Sequence, residues 1–297
     1  MHKKKIKDML SDEGIDLSGI ITINECTVTR RYLLERAGIE NGSVIVMAVP
    51  YVSDDFGRGN VSEYAKSRDY HLYFRDLFER LIPRLKSSFP DNTFCGFADH
   101  SPIDEREAAA RAGLGMIGMN GLLITEKYSS FVFLGEIITD LILESDAKEI
   151  AYCEKCGRCL TACPASLSNP QNCLSALTQK KGELTDSECA LIVASDRIWG
   201  CDCCQTACPH TESALAKGTI FSSIPFFTEQ RLPVLTYNLI SEMSEAEFSQ
   251  RAYAWRGRKT ILRNLCLWEA GVKRGTCCDE KHQAIYQPNT TKKSSRS

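Results

Sequence analysis

The chain has 297 residues, of which 43% are hydrophobic and 25% are charged, and its formal net charge is −2. These values are ordinary for a globular protein of about two domains, and they exclude a chain that is mainly disordered. The near-neutral charge does not indicate a non-specific nucleic-acid binder, and we expect the Lys/Arg-bearing tails to be solvated. The most apolar stretch, residues 131–143, is too short to cross a bilayer. No secretory signal is visible, so a cytoplasmic location without a membrane partner is expected.

Predicted helices and strands alternate over the first half of the chain. In order, the sequence predicts short helices with glycine turns over 1–40, a buried strand at 44–49, an amphipathic helix over 62–88, a strand at 93–98, a helix over 101–112, and strands at 121–125 and 131–143. Pro83 should kink or end the long helix, and Ser101 followed by Pro102 is typical of a helix N-terminus. The interleaving predicts an α/β (α+β) domain over residues 1–150.

A G-x-G-x-x-G pattern at Gly113, Gly115 and Gly118 has the spacing of a dinucleotide-binding loop. That loop must follow a strand and open a helix. Here the order is reversed, because a predicted helix precedes the glycines and a predicted strand follows them. We therefore interpret the pattern as a tight turn that lets the backbone approach a ligand closely, and not as a nicotinamide or flavin site.

Ten of the fifteen cysteines lie within residues 151–209. Without a secretory signal, a disulfide framework is not expected, and the cysteines indicate metal or redox chemistry. The segment from Cys153 to Pro164 has the C-x2-C-x2-C-x3-C-P spacing of bacterial ferredoxins, in which the fourth cysteine reaches a different cluster from the first three. A second segment, from Cys201 to Pro209, contains the last three cysteines of the same pattern.

The two segments together predict two 4Fe–4S clusters. The first cluster is assigned to Cys153, Cys156, Cys159 and Cys208. The second is assigned to Cys163, Cys201, Cys204 and a remote fourth ligand, which the spacing leaves open between Cys173 and Cys189. Cys203 is out of register and is interpreted as a bystander. Zinc is the alternative, but zinc sites rarely combine seven cysteines with two Cys-Pro endings. The cysteines elsewhere are interpreted as ordinary small residues: Cys26, Cys95, Cys266, Cys277 and Cys278.

The change in cysteine content also predicts the domain organisation. After the first domain we expect a ferredoxin-like double 4Fe–4S domain at 151–212, a helical C-terminal region at 213–285 and a disordered tail at 286–297. Within the helical region, residues 241–267 have the pattern of a pair of helices. Two adjacent clusters conduct electrons, so the first domain is expected to hold the electron acceptor.

Several further segments are similar to the epoxyqueuosine reductase family. The residues that carry the resemblance are Arg68–His71, Asp99–Arg106, Arg111–Asn120, Phe131–Asp140, Asn172–Thr178, Arg197–Asp202 and Arg256–Asn264, together with the two cysteine segments. No single segment is decisive, but their order and spacing are specific. The chain is therefore identified as a short or divergent member of this family.

The resemblance implies a fold, an activity and a set of cofactors. It implies a cobalamin-binding domain akin to that of reductive dehalogenases, in an oxidoreductase that converts epoxyqueuosine to queuosine at the tRNA wobble position. It implies cobalamin with its lower base detached, two 4Fe–4S clusters and an external electron donor of the flavodoxin or ferredoxin type. Asp99 corresponds to the proton donor of the family, and Cys173 to the remaining ligand of the second cluster. Burial against the corrin is expected to raise the pKa of Asp99.

Other contacts are expected from the positions of the matched motifs. The residues expected to contact cobalamin are Asp99, Gly115, Asn120 and Ser175, and those expected to contact tRNA phosphates are Lys180, Lys181 and Arg197. Two alternatives stay open: a related corrinoid and iron–sulfur reductase with a non-tRNA substrate, and a non-enzymatic electron-transfer or corrinoid-reactivating protein. The oligomeric state is also open, with a monomer as the working expectation.

Overall fold

The computed structural model describes residues 2–165 and 173–272 of the chain. The strands in these ranges are β1 (Ser18–Thr22), β2 (Ser43–Pro50), β3 (Phe94–Phe97), β4 (Met116–Ile117), β5 (Leu123–Ile124) and β6 (Val132–Thr139). The helices are α1 (His2–Asp12), α2 (Arg31–Ala37), α3 (Tyr70–Ser88), α4 (Glu105–Arg111), α5 (Arg158–Thr161), α6 (Leu174–Thr178), α7 (Asp186–Ala194), α8 (Cys203–Thr206), α9 (Pro209–Ala216), α10 (Pro225–Thr228), α11 (Tyr237–Glu242), α12 (Glu245–Phe248) and α13 (Arg258–Val272).

An antiparallel sheet in the order β1–β2–β6–β3 forms the centre of the first half of the chain. Every residue of β2 is buried, which confirms the predicted strand at 44–49. Because side chains alternate along a strand, Ile45 and Met47 face one core while Val44 and Val46 face the other. The sheet is thus covered on both faces, as expected for a mixed α/β fold.

The long helix α3 covers one face of this sheet, and the short helix α4 covers the other. Phe74, Leu77 and Leu81 of α3 pack with the first core. Ala108 and Ala109 of α4 pack with the second, where their small side chains bring the helix close to β2 and β6. These two helices place their first turns near the end of β3, where the candidate site lies.

The helix predicted over 62–88 begins later and continues past its proline. Residues Glu63–Ala65 form a separate 3-10 turn, and α3 starts after Asp69, whose carboxylate caps it by accepting the His71 N–H. Pro83 lies inside α3, so the expectation that it ends the helix is wrong, while the alternative of a kink stays a prediction. Buried leucines on both sides of the proline hold the helix against the sheet.

The helix predicted from Ser101 also begins later. Asp104 is its N-cap and accepts the N–H groups of Arg106 and Glu107, both at 3.1 Å.

Gly19, one of the glycines expected to form turns within residues 1–40, is instead part of β1. A Cβ at Gly19 would lie 2.5 Å from the carbonyl oxygen of Ala112, so glycine is needed there for close packing and not for a turn.

The second half of the chain packs around α13 and joins the first core. Three of its residues, Ala214, Ile220 and Phe227, belong to the same core as α3. The helices expected within 241–267 are found as α11, α12 and α13, which enclose a third core around Ile240, Phe248 and Ile261. The predicted domain boundaries at 150 and 212 stay predictions. Some predictions fall on residues outside the described ranges: the tail at 286–297, the end of the helical region at 273–285, Asn172, Cys277 and Cys278. In the described part of the chain no helix is long and apolar enough to span a membrane.

Buried hydrogen bonds connect the cysteine-rich segment to the first half of the chain and to α13. The backbone N–H of Glu63 donates to Asp202 at 2.7 Å. On the other side, Asn264 of α13 donates to the carbonyl oxygens of Thr178 and Ile198, at 2.7 and 2.8 Å. Because all these groups are buried, the bonds fix the segment's position between the two cores.

Candidate functional site

The loop that follows β3 presents Asp99 to solvent. Its side chain is 68% exposed, and its backbone has a φ of +64°, a left-handed conformation that few non-glycine residues adopt. The Asp99 N–H donates to the Glu105 carboxylate at 2.7 Å, so the first residue of α4 holds the loop. Backbone strain of this kind is concentrated at functional sites.

His71, in the first turn of α3, faces Asp99. Its Nδ1 lies 2.8 Å from the Asp69 carboxylate, and its Nε2 lies 3.7 Å from the Asp99 carboxylate. The imidazole therefore bridges two acids. The hydrogen bond to Asp69 and the interaction with Asp99 raise the pKa of His71 to about 9, so the ring carries a proton at neutral pH.

This histidine changes what is expected of Asp99. His71 lowers the pKa of Asp99 below its ordinary value, and burial opposes this shift only in part. In the structure it is His71 that sets the direction of this shift, and the expectation that burial against the corrin raises the pKa of Asp99 stays a prediction. The proton that the pair carries at neutral pH is on the imidazole.

A cavity brings together the four cysteines assigned to the first cluster. Cys153, Cys156, Cys159 and Cys208 line it, with Met119, Asn120 and His210 beside them. The Sγ of Cys153 accepts the Met119 N–H at 3.2 Å, which ties the first cysteine segment to the loop after β4. The structure thus places Cys208 with three cysteines that precede it by about fifty residues.

Three of the cysteines assigned to the second cluster lie close enough to interact electrostatically. Burial raises the pKa of Cys204 to about 11, Cys173 and Cys163 add to this shift, and Asn120 bonds to the Cys204 thiol. Cys201 packs against the α6–α7 core that begins next to Cys173, and Cys203 lies in hydrogen-bonding contact with Cys201. Among the residues that the structure describes, no group of three or more His, Cys, Asp or Glu side chains is arranged to hold a single metal ion.

The residues expected to contact cobalamin lie in different surroundings. Asn120 stands between the two cysteine groups, since it lines the first cavity and also bonds to Cys204. A Cβ at Gly115 would lie 2.3 Å from the carbonyl oxygen of Ile124, so this glycine allows β4 to pair closely with β5. Ser175 accepts a hydrogen bond from Gln179 within its own segment.

Of the residues expected to contact tRNA, two are engaged within the protein. Lys180 forms an ion pair with Glu188 at 2.7 Å, and Arg197 donates to the carbonyl oxygen of Gly59. Lys181 is exposed. Their role as phosphate contacts stays a prediction.

Sequence reasoning missed a second basic surface, which lies next to Asp69. Its members are Arg68, Arg251, Trp255 and Arg256. Trp255 is 56% exposed, with the Arg256 guanidinium 3.8 Å from its ring centre, and Arg68 lies over the ring of Phe226. Arg68 pairs with Arg251 through the backbone, and the Asp69 N–H donates to Gln250. The only sequence signal was the resemblance at Arg68–His71 and Arg256–Asn264.

The fold and the site define a mixed α/β protein with an acid–imidazole pair at a strained loop and a cysteine-rich segment packed beside it. The family model described as "Epoxyqueuosine reductase QueG, DUF1730" matches residues 32–100. The chain is 32% identical over 285 residues to the epoxyqueuosine reductase of Bacillus subtilis (strain 168), which covers 89% of this chain and 70% of the relative.

Solved structures agree with these matches. An epoxyqueuosine reductase bound to a tRNA-Tyr epoxyqueuosine-modified stem loop has a TM-score of 0.74 at 28% identity, covering 95% of this chain and 83% of the other. A Bacillus subtilis epoxyqueuosine reductase, with its catalytic aspartate loop swung out of the active site, has a TM-score of 0.74 at 28% identity, covering 91% and 82%. The chain therefore belongs to the epoxyqueuosine reductase family.

Proposed function

We propose that this protein is an oxidoreductase that converts epoxyqueuosine in tRNA to queuosine. The reaction takes up two electrons and two protons, forms a carbon–carbon double bond and releases the epoxide oxygen as water. The observation that carries the proposal is the Asp99–His71 pair, a protonated acid–base site on an exposed loop, in a chain of this family. The named relatives support the substrate, and one of them is bound to an epoxyqueuosine-modified stem loop.

The iron–sulfur clusters are part of this proposal. Thiolates are the ligands of such clusters, and the four thiols around one cavity fit the first of them. The second set fits less completely: Cys163 and Cys173 act electrostatically on Cys204, and Cys201 packs against the core that begins next to Cys173. Cys156 is exposed, so we place the entry of electrons from a flavodoxin- or ferredoxin-type donor at the first cluster.

Cobalamin is proposed from the family, and it supplies, when bound, a strongly nucleophilic cobalt centre that opens the epoxide. The residues present leave room for a ligand, because the Asp99 and His71 side chains are both at least half exposed. The proton of the pair is on the His71 imidazolium, and it reaches the epoxide oxygen through the Asp99 carboxyl group. Asp69 keeps the imidazole charged and oriented.

The tRNA substrate is proposed to contact the basic surface beside Asp69. Single-stranded RNA loops are recognised by stacking on aromatic rings and by arginine contacts to phosphates. The exposed Trp255 provides a ring with the Arg256 guanidinium over it, and Arg68, the residue before Asp69, provides positive charge near the acid–imidazole pair. Binding by this surface should weaken as salt increases.

The test is anaerobic purification and reconstitution, followed by an iron count and an assay with an epoxyqueuosine-containing anticodon stem loop. We expect about eight irons per chain and the appearance of queuosine in nucleoside mass spectra. Cys156→Ser should lose about half of the iron, whereas the matched control Cys189→Ser should keep all of it. A loaded protein that binds the stem loop but yields no queuosine with cobalamin and a reductant would reject the proposal.

A further inference from the structure

A buried carboxyl group beneath the Asp99 loop has no role in the chemistry described so far. Glu136 lies on the central strand β6, opposite Val46 of β2 and Phe97 of β3. Its side chain is completely buried, and among the described residues neither of its oxygens accepts a hydrogen bond of normal length and angle. An ionised carboxylate in such surroundings is very costly.

The group that faces it most closely is a second carboxyl group. Glu105 lies within bonding reach of Glu136, and two carboxylates cannot bond to each other unless one of them carries a proton. Burial and the presence of Glu105 raise the pKa of Glu136 well above its ordinary value, and the Ser101 hydroxyl opposes this in part. Burial also raises the pKa of Glu105.

The other groups that face this pair are acidic too. Asp99 and Asp104 act on Glu105, and both raise its pKa. The thiol of Cys26 faces Glu136 from the segment after β1, and burial raises its pKa to about 12, so it is uncharged. These neighbours favour a proton on the pair over two negative charges.

We propose that Glu136 is a protonated carboxylic acid that donates to the Glu105 carboxylate, and that this pair positions the proton-donating Asp99 loop. Glu105 is the link, because the same carboxyl group accepts the Asp99 N–H at 2.7 Å. The left-handed backbone of Asp99 persists only if its surroundings hold it, and this bond does so. Glu136 and Glu105 are positioning residues and do not touch the substrate. The inference rests on the proposed function only for its effect on turnover.

The protonation of Glu136 can be measured on the cofactor-free protein. At pH 7 the infrared spectrum should contain the carbonyl band of a protonated carboxylic acid, which disappears in Glu136→Gln. Asp202, whose pKa is raised to about 7, contributes to both proteins and cancels in the difference spectrum. A difference spectrum without a protonated-acid band would overturn the proposal.

The positioning role is tested by amide hydrogen exchange at Asp99, which also needs no cofactor. Glu105→Ala and Glu136→Leu should both speed exchange at this amide by about tenfold, because the acceptor is removed in one variant and loses its donor in the other. Glu136→Gln should keep the protection, since an amide N–H can replace the acid O–H. Equal exchange rates at the Asp99 amide in the wild type and all three variants would overturn the positioning role.

The kinetic constants and the Tm of Glu136→Leu distinguish a positioning role of Glu136 from a stabilising one. Glu136→Leu should lower kcat by about tenfold with little change in KM. Its Tm should stay the same or rise, because an apolar side chain suits the buried face better than a carboxyl group. Glu107→Ala, which removes an acid from the same helix that pairs with Arg111, is the matched control and should keep kcat. Normal turnover in Glu136→Leu would refute the link to Asp99, whereas an inactive wild type with the infrared band present would refute only the proposed function.

Discussion

Substituting Asp69 by asparagine isolates the electrostatic role of this residue, because asparagine also caps helices well. Asp69 accepts the backbone N–H of His71 at 3.0 Å and its ring N–H at 2.8 Å. An asparagine oxygen can keep the first bond, but it removes the charge that contributes most to the raised pKa of His71. We expect Asp69→Asn to lower that pKa by at least about one pH unit.

The size of the effect on His71 follows from the fraction of imidazole that is protonated at each pKa. At pH 7 a group with a pKa of about 9 is about 99% protonated, whereas one at the ordinary value of 6.5 is about a quarter protonated. That pKa difference corresponds to about 3.4 kcal/mol in favour of the charged form. His71 is half exposed, and solvent screening reduces its contribution to folding to about 1 kcal/mol. Because the folded-state pKa is the raised one, this stabilisation is complete below about pH 6.5 and is lost as the pH rises through about 9.

The assay is an NMR titration of the imidazole carbon-bound protons. The chain has five histidines, and His71→Gln assigns the signal. The control is Asp76→Asn, which removes an acid on the same helix that pairs with Arg75 and should leave the titration of His71 unchanged. A wild-type midpoint near the ordinary value, or the same midpoint in Asp69→Asn, would refute the reasoning. In the loaded enzyme, the basic limb of the pH–rate profile should move down with the imidazole pKa.

Three further substitutions test the packing and the cysteine assignment. Gly115→Ala places a Cβ 2.3 Å from the carbonyl oxygen of Ile124 and should cost about 1–3 kcal/mol in thermal unfolding, and an unchanged Tm would contradict the close pairing. Lys66→Met removes the 2.6 Å partner of the buried Glu63, which keeps the Gly57 N–H at 2.8 Å and Arg231 at 3.5 Å, so it should cost about 1–3 kcal/mol in urea unfolding, and an unchanged midpoint would contradict the pairing. Cys203→Ser should keep the full iron count, and loss of about half the iron would show that Cys203 is a ligand.

Local sequence patterns predicted those features that are encoded by residues close together in the chain. The apolar run at 44–49, rich in valine and isoleucine, predicted β2, and both cores now show why every one of those side chains is apolar. The ferredoxin spacing grouped Cys208 with a distant cysteine segment, because that pattern encodes which cysteines share a cluster. The structure brings those thiols to one cavity, while the clusters themselves stay a prediction.

The start of α3 and the position of β1 could not be predicted in the same way. The stripe of apolar residues in 62–88 continues through the helix, but Asp69 decides where the helix starts, and Ser62 and Ser67 are also plausible caps in that segment. The short strand β1 contains Gly19, which is glycine because of a contact with Ala112, the residue after α4. Contacts between residues so far apart in the chain leave no local signal.

The acid–imidazole pair shows the same limit at the site. His71 and Asp99 are separated by 28 positions, and they meet because α3 packs against β3 and the first turn of α3 lies near the end of β3. Sequence reasoning assigned the proton to Asp99 through the corrin that the resemblance implies, and it did not find the histidine that lowers the pKa of this aspartate. A role that depends on a pKa depends on neighbours, and neighbours are a property of the fold.

The sequence contained a signal for the role of Glu136 that the prediction did not use, which is an acid at a core-facing position of a buried strand. Strand β6 was predicted as an apolar run, and the acid in its middle received no role of its own. With side chains alternating along the strand, Glu136 must face the same side as Leu134 and Ile138, which pack in the second core. A carboxyl group placed there must either be protonated or be paired with a buried cation. The structure places Glu105 against it, so a proton on this pair is the outcome that the argument requires.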